Sequence, residues 1–217
     1  MACVLFSRPE HDGTLAYLYY YSKELVKLST DLGHKTINKE KEDANKKTIT
    51  SIIKQHKPNL IMLNGHGAPH QVCGHKNETI ISSEENPEIL ANSVTYSLSC
   101  SSAVILGPEV VKNGTGSFIG YKFDFALGKD PNSEAVPAKD KIAKFFLEPS
   151  NLLFSSLLEG KTVNNSIIKA KKMMRDNIWF LSTTDKFPEA SHYAPFLFGN
   201  YSGLVALGNQ SAVITNS

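Results

Sequence analysis

Several short segments of this sequence are apolar at nearly every position, and this pattern restricts the fold more than any other feature. Residues 2–6 and 59–63 are two such segments, and residues 94–98, in which Thr95 and Ser97 alternate with larger residues, are predicted to be a further strand of the same kind. A strand that is apolar throughout is buried on both faces, as the central strands of a parallel sheet are. Stretches with apolar residues at helical spacing separate these segments. The sequence therefore predicts an α/β fold with a mostly parallel sheet.

The rest of the chain continues the same alternation. Asp12 can cap a helix that buries Leu15, Leu18, Leu25 and Leu28 and that Gly33 ends. Further strands are predicted around residues 35–37 and at 117–121, and further helices at 42–56, at 141–146 and from residue 163 onward. Residues 123–140 are expected to form a long loop, and residues 193–208 to return a last strand to the sheet edge.

Size and charge limit what the chain can bind. The 217 residues are 41% hydrophobic, and no linker of different composition divides them, so residues 1–217 are predicted to form a single domain. The 23 basic and 21 acidic residues leave a formal net charge of +2. That balance is too even to indicate attraction to nucleic acid or anionic lipid. Neither nucleic acid nor a membrane is an expected partner.

The N-terminus and the cysteines indicate a reduced, aqueous compartment. Residues 1–8 have too short an apolar stretch, and no preceding basic region, to act as a signal peptide. No window approaches the roughly 18 apolar residues that a membrane-spanning helix needs. Cys3, Cys73 and Cys100 are an odd and sparse set, unlike the even sets that staple small secreted domains. A soluble, cytoplasmic protein is therefore expected.

Two residues with catalytic potential follow two of the predicted strands. One strand runs into Asn64-Gly65-His66-Gly67, and the other runs into Ser99-Cys100-Ser101-Ser102. Ligands of open parallel sheets bind beyond the carboxyl ends of the strands, so both side chains should face one crevice. A histidine near a cysteine favours the nucleophilic thiolate and can then protonate a leaving amine. We therefore predict a catalytic dyad of His66 and Cys100, with no identifiable acidic third member.

These segments resemble the caspase-like cysteine peptidases, a superfamily that includes caspases, gingipains, separases and CHAT domains. The resemblance rests on residues 60–67, on residues 96–103, and on the turn and strand at residues 114–120. The Cys100-Ser101-Ser102-Ala103 segment and residues 195–200 are similar to separase and CHAT members more than to animal caspases. The resemblance covers about residues 1–210, at the level of motifs rather than of continuous similarity.

The resemblance implies a fold and a chemistry. The fold would be a caspase-like three-layer sandwich, with helices on both faces of a mostly parallel sheet of about six strands. The reaction would be cleavage of a protein or peptide substrate through a thioester, with neither a metal nor a cofactor. The oxyanion hole would consist of the backbone N–H groups of Gly67 and Cys100, and losing one such donor typically costs ~10²–10³ in rate. Leu98 departs from the metacaspase branch, which carries an aspartate there, so the resemblance does not extend to a metacaspase-like specificity pocket.

The resemblance also locates the pocket for the residue that precedes the cleaved bond. The ends of the first strand and of the strand after the nucleophile would line it. Asp124 lies about where separase-like members hold a basic side chain, and Glu10 and Asp12 can add negative charge from the other wall. Cleavage after a basic residue is therefore expected. Two alternatives oppose this: Arg8 can neutralise the acids or bind an acidic residue itself, and Asp124 can simply cap a turn.

A second interpretation of the region after residue 66 is a zinc site. His66, His70, Cys73 and His75 lie close together in the sequence. They lack the paired spacing of structural zinc ligands, however. A hairpin of residues 72–75 and 79–81 beside the crevice explains the segment better.

Other classes of function also stay open at this point. His192 follows Cys100 in the order found in glutamine-amidotransferase-like hydrolases, but the His-x-Glu pattern of that class is missing. A caspase-like domain can also act as a non-catalytic interaction or sensor module. His11, His34 and His56 are expected to be ordinary surface or helix-end residues. Control by a separate regulatory protein or by proteolysis is expected, by analogy with the family.

Overall fold

Strands and helices alternate along the chain, as the sequence pattern predicts. A computed structural model describes residues 1–112, 114–130, 133, 136–186 and 189–214. The strands in these ranges are β1 (Cys3–Arg8), β2 (Lys35–Glu40), β3 (Leu60–Asn64), β4 (Gly67–Ala68), β5 (Gln71–Cys73), β6 (Thr79–Ser82), β7 (Val94–Leu98), β8 (Ser117–Tyr121) and β9 (Leu204–Gly208). The α-helices are α1 (Gly13–Asp31), α2 (Lys46–His56), α3 (Leu106–Val111), α4 (Lys141–Leu158), α5 (Val163–Thr183) and α6 (Ala190–Gly203).

Six strands form the main sheet, in the order β2-β1-β3-β7-β8-β9. The first five are parallel to one another, and β9 pairs antiparallel with β8 at one edge. β3 and β7 lie side by side at the centre, and all five residues of each are buried. The apolar segments of the sequence are thus the central strands, which confirms the predicted mostly parallel sheet.

Separate hydrophobic cores lie on the two faces of this sheet. Val4 and Phe6 of β1 belong to the core that α1, α4, α5 and α6 cover, whereas Leu5 belongs to the core beneath α2 and α3. This alternation is the period of two that a strand imposes. The second core also includes Ile80 and Ile81 of β6, part of the small antiparallel sheet β4-β5-β6. The fold is therefore an α/β three-layer sandwich, and the predicted hairpin is β5 and β6.

Two helix boundaries differ from the sequence prediction. The helix expected at residues 42–56 begins only at Lys46, because Asn45 is its cap. The helix expected at residues 141–146 continues as far as Leu158, through Pro149. Proline has no N–H for the carbonyl four residues earlier. The Asn177 side chain of α5 donates to that Phe145 carbonyl at 3.0 Å instead, so the helix can continue.

The last predicted strand is correct only in its final part. Residues 193–203 belong to α6, and only Leu204–Gly208 pair with the sheet. Buried residues in α6 recur every third or fourth position, at Ala194, Leu197 and Asn200, which is the period of a helix with one face on the core. None of the helices in the described ranges combines the length and apolar character needed to cross a bilayer.

Candidate active site

The two predicted catalytic residues follow neighbouring strands. β3 and β7 pair in parallel, with Asn64 opposite Leu98. His66 and Cys100 each stand two residues beyond this last pair. Because parallel strands end at the same edge of a sheet, both residues lie at that edge. The Gly65 N–H donates to the Leu98 carbonyl at 3.4 Å, which keeps the two chain segments together beyond the strands.

Glycines on either side of His66 permit a close approach to the nucleophile. A Cβ atom on Gly67 would lie 2.6 Å from the Cys100 carbonyl oxygen. A Cβ atom on Gly65 would overlap the Cys73 carbonyl oxygen. A larger residue at either position would therefore force backbone segments apart. The histidine segment thus packs directly on the backbone that carries the nucleophile.

An acidic residue supports His66, although none was predicted. Asp12 Oδ2 lies 2.6 Å from His66 Nε2, and Asp12 Oδ1 accepts hydrogen bonds from the Thr14 and Leu15 N–H groups. Burial raises the pKa of Asp12, but the hydrogen bonds and the charge of His66 outweigh this and leave that pKa lowered. Asp12 is therefore an ionised carboxylate. The predicted cap of α1 is confirmed, and the same residue contacts the predicted base His66.

The contact with Asp12 assigns the two ring nitrogens of His66. A carboxylate only accepts hydrogen bonds, so Nε2 carries a proton and donates it to Asp12. Nδ1 is left as the nitrogen that can take a proton from a thiol. A carboxylate in this position holds the tautomer and orientation of an imidazole and stabilises the imidazolium when it forms. This arrangement fits the predicted role of His66 as a base, with Nδ1 as the free nitrogen.

The Cys100 thiol is half-buried and neutral in the free protein. Burial raises its pKa, a hydrogen bond from the Phe125 backbone N–H lowers it, and the negative charge of Asp124 raises it, with a net increase. A raised pKa favours the neutral thiol over the thiolate in the free protein.

Alkylation of Cys100 by iodoacetamide should therefore depend steeply on pH. Only the thiolate reacts, and a raised pKa keeps the thiolate fraction small at neutral pH. We expect the rate constant to increase about tenfold per pH unit across the neutral range and to level off only above the ordinary cysteine pKa. Mass spectrometry of the Cys100 peptide measures the rate, with the Cys3 and Cys73 peptides as internal comparisons. A fast, pH-independent rate near pH 7 would indicate an ion pair and contradict this expectation.

A tight turn carries the nucleophile. Ser101 follows Cys100 with a φ of 51°, in the left-handed region that residues other than glycine rarely adopt. Its N–H donates to the Phe123 carbonyl at 3.1 Å, and its Oγ donates to Asp124 Oδ1 at 2.7 Å. These bonds tie the nucleophile turn to the segment that leaves β8. Asp124 is exposed, and the Ser101 hydroxyl holds its carboxylate beside the Cys100 turn.

Three buried serines support this turn from the side of the sheet. Ser97 Oγ lies 2.7 Å from Ser99 Oγ, and the Ser102 hydroxyl donates to Ser97 Oγ at 3.2 Å. All three are at most 3% exposed. The hydroxyls satisfy one another away from water, which stabilises one conformation of the turn.

The two N–H groups expected in the oxyanion hole are not used by the sheets. The Cys73 N–H donates to the His66 carbonyl at 2.8 Å. In a trans peptide the carbonyl of one residue and the N–H of the next point in opposite directions, so the Gly67 N–H faces away from β5. The Cys100 N–H has no backbone acceptor within the described ranges. Within the described ranges the geometry leaves both N–H groups outside the sheet pairing, and the oxyanion hole itself stays a prediction.

The Arg8 side chain lies outside the predicted substrate pocket, where it was expected to neutralise the acids or to bind an acidic residue. Its side chain is 2% exposed, and its guanidinium donates to Ser22 Oγ at 2.8 Å and to the Tyr19 carbonyl at 2.6 Å. It also pairs with Glu40 of the edge strand β2 at 3.1 Å. A guanidinium engaged in this way is not free to bind an acidic substrate residue or to neutralise Asp124.

The remaining acids of the predicted pocket are also engaged. Glu10 pairs with Lys41 at 3.4 Å, and its side chain is 33% exposed. Asp12 uses one oxygen as the α1 cap and the other on His66, so it supports the base rather than the wall of a pocket. Asp124 is therefore the predicted pocket residue that contacts the nucleophile turn.

The segment that carries Asp124 is anchored to α6. The buried Asn200 side chain accepts from the Ala126 N–H at 2.9 Å and donates to the Ala126 carbonyl at 2.7 Å. A Cβ atom on Gly128 would overlap the Phe146 ring, so the chain is closely packed there too. Residues 131, 132, 134 and 135 of the predicted loop lie outside the described residues. The described part of the loop holds Asp124 in a defined position.

Neither alternative histidine arrangement has the geometry it needs. Within the described ranges, no three His, Cys, Asp or Glu side chains converge as a metal site requires. His192 is exposed in the first turn of α6. Gly203, which packs against Phe123, lies eleven positions further along that helix, about 16 Å away at 1.5 Å per residue. His66 is the histidine whose segment packs on Cys100.

Comparison with known proteins agrees with this architecture. No family model matches the chain, and no curated protein sequence does. Among solved structures, the Arg-specific cysteine proteinase gingipain R matches with a TM-score of 0.62 over 98% of this chain, at 11% sequence identity. The chain spans 47% of the gingipain chain. At this identity the match establishes architecture alone, and the chain therefore has the caspase-like cysteine-peptidase fold.

Proposed function

We propose that this protein is a cysteine endopeptidase that uses His66 and Cys100 and cleaves its substrates after a basic residue. The observation that carries the proposal is the placement of His66, held by Asp12, against the Cys100 turn at the ends of β3 and β7. A base, an orienting carboxylate, a thiol and spare N–H donors are the parts that attack on a peptide carbonyl requires. The gingipain that shares the fold is itself an Arg-specific cysteine proteinase by name, which supports the same reaction class.

The reaction begins with transfer of the thiol proton. His66 Nδ1 accepts the proton as Cys100 Sγ attacks the carbonyl carbon of the substrate, and Asp12 stabilises the resulting imidazolium through Nε2–H. Because the pKa of the thiol is raised in the free protein, we expect proton transfer and attack to take place together once the substrate is bound. The N–H groups of Gly67 and Cys100 donate to the developing oxyanion.

Breakdown of the tetrahedral intermediate completes the first half of the reaction. His66 Nδ1–H protonates the leaving amine, the C–N bond breaks, and the acyl group stays on Cys100 as a thioester. In the second half a water molecule gives a proton to His66 and attacks the thioester carbonyl. The sulfur leaves, recovers that proton from His66, and the carboxylic acid product is released.

Asp124 supplies the preference for a basic residue. Its carboxylate is exposed and is held beside the nucleophile by the Ser101 hydroxyl. A charge-assisted hydrogen bond to a Lys or Arg side chain is worth ~1.5–3 kcal/mol, a preference of about tenfold or more. Burial is the main cause of the raised Cys100 pKa, and a bound cation would offset only the smaller contribution of Asp124.

Replacing Asp124 should change which peptides are cleaved. For Asp124→Asn we expect kcat/KM for peptides with Arg or Lys before the cleaved bond to fall about tenfold or more. Matched peptides with Leu at that position should change little. Glu10→Gln is the control, because Glu10 is already paired with Lys41, and it should keep the basic preference. An acidic or apolar preference in the wild type, or an unchanged basic preference in Asp124→Asn, would remove Asp124 from this role.

A non-catalytic interaction or sensor module is the alternative from a different class. An electrophilic peptide probe with a basic residue separates the two functions, since a peptidase labels Cys100 selectively and a module does not. A cleavage-site profile on a peptide library then tests the whole proposal, and a library left intact by the wild type would refute it. Control by a partner protein or by proteolysis stays a prediction.

A further inference from the structure

We infer that His11 is a positioning residue for this site, and that protonation of His11 diverts the Asp12 carboxylate from His66. The catalytic consequence rests on the proposed function. His11 directly precedes Asp12 between β1 and α1, and its side chain is 14% exposed. Its ring centroid lies 6.3 Å from that of His66 and 5.3 Å from that of His75. A histidine expected to be an ordinary surface residue therefore belongs to a cluster of imidazoles around the site.

The hydrogen bonds of His11 fit the neutral ring. The Lys76 backbone N–H donates to His11 Nδ1 at 3.3 Å, so Nδ1 must carry a lone pair. His11 Nε2 lies 3.2 Å from Asn77 Oδ1, which accepts, so Nε2 carries the proton. Neutral His11 therefore joins the turn between β5 and β6 to the segment that holds Asp12.

The turn that His11 contacts has an uncommon conformation. Lys76 and Asn77 have φ angles of 53° and 61°, both in the left-handed region. On its other side the turn packs tightly, because a Cβ atom on Gly74 would overlap the Ala44 carbonyl oxygen. Such a conformation persists only where its surroundings determine it. The two hydrogen bonds to His11 are part of those surroundings.

A second proton on His11 would disturb both sides of this arrangement. The added proton would sit on Nδ1 and face the Lys76 N–H. The hydrogen bond from Lys76 to His11 would therefore be lost. The cation would also attract Asp12, whose Oδ2 lies 3.9 Å from His11 Nε2. The same oxygen accepts from His66 Nε2 at 2.6 Å. A charged His11 therefore competes with the base for its carboxylate.

The other ionisable groups near His11 do not relieve this competition. His66, His75 and the Lys76 side chain are cationic or become so on protonation, and Glu10 is paired with Lys41. Within the described ranges, Asp12 is the one carboxylate within ion-pair distance of His11. The lowered pKa of Asp12 keeps this carboxylate ionised, so it is available to a charged His11.

The acid limb of the pH profile tests the catalytic consequence. If His66 and His11 must both be neutral, kcat/KM of the wild type should fall by up to about a hundredfold per pH unit on the acid side. This slope is the limit for two protons, whereas a single proton gives about tenfold. His11→Gln is the matched variant, because an amide offers an acceptor and a donor but does not titrate. Whatever its activity at neutral pH, kcat/KM of this variant should fall only about tenfold per pH unit on the acid side. His56→Gln, at the exposed end of α2, should behave as the wild type does. A one-proton limb in both the wild type and His11→Gln overturns the inference.

NMR of the imidazole nitrogens tests the contact itself, whether or not the protein cleaves peptides. Neutral His11 should be the Nε2–H tautomer, and the Lys76 amide signal should follow the His11 titration in the wild type but not in His11→Gln. If no peptide is cleaved, the proposed function fails while this measurement still decides the role of His11 in the turn. An Nδ1–H tautomer, or a Lys76 amide that does not respond to that titration, overturns the inference independently of activity.

Discussion

Cys100→Ala and His66→Ala should each abolish peptide cleavage and leave the fold intact. Each substitution removes one half of a proton-coupled nucleophile, and such losses typically cost ~10⁴–10⁶ in kcat. Both side chains are partly exposed at the sheet edge, so little core packing is lost with them. The measurement is kcat/KM on the best peptide from the library profile, with circular dichroism and thermal unfolding as checks on the fold.

Cys3→Ala provides the control for this pair. Cys3 is also a partly exposed free cysteine, but it lies at the start of β1, at the opposite end of the strands from His66 and Cys100. Its removal should leave kcat/KM unchanged. Full activity in either Cys100→Ala or His66→Ala would falsify the dyad.

Asp12→Asn should lower kcat by roughly 10²–10⁴ while leaving stability almost unchanged. Asparagine is a good N-cap, so its amide oxygen can still accept from the Thr14 and Leu15 N–H groups. Its Nδ2 would then face His66 Nε2 as a donor, which favours the tautomer with the proton on Nδ1. That tautomer cannot take the proton of Cys100. Steady-state kinetics and the melting temperature separate the two effects.

Asp12→Ala combines both losses, so it needs a matched cap variant. It should lose activity and also ~0.5–2 kcal/mol of stability, because the α1 cap is removed. Thr162→Ala removes the cap of α5, where the Thr162 hydroxyl accepts from the Asn165 N–H at 3.2 Å. It should lower stability by a similar amount and keep full activity. Equal losses of kcat in Asp12→Ala and Thr162→Ala would mean that Asp12 acts only through the stability of its helix.

The pairing of His66 with Cys100 could be predicted because it follows from strand geometry. Both residues come directly after buried apolar strands, and parallel strands end at one edge. The register of Asn64 with Leu98 then places the two segments at the same level. The sheet was predictable because burial leaves a pattern in the local sequence. A strand buried on both faces is apolar throughout, a half-buried strand alternates, and a helix repeats every three to four residues.

The roles of Asp12 and Arg8 could not be predicted in this way. Asp12 has the pattern of a helix cap, and this prediction was correct, but the pattern does not show where its second oxygen points. Arg8 is the last residue of the first strand, where the resemblance places the pocket, yet its guanidinium pairs with Glu40, 32 residues away. One side-chain rotation can move a charge from the pocket to the neighbouring strand. Sequence position does not record that rotation.

By itself, the sequence determined the α/β sandwich, the central position of β3 and β7, and the histidine and cysteine at their ends. These features depend on the burial of apolar side chains and on the backbone freedom of glycine. Both can be recognised from residues that are close together in the sequence. Only the tertiary structure decided that Asp12 supports His66, that Asp124 lies at the nucleophile turn, and that His11 contacts the turn after β5. The Asp12–His66 bond joins residues 54 positions apart, and the His11–Lys76 bond joins residues 65 apart. Such contacts leave no local pattern, because they form only where the packed sheet brings separate loops to one edge.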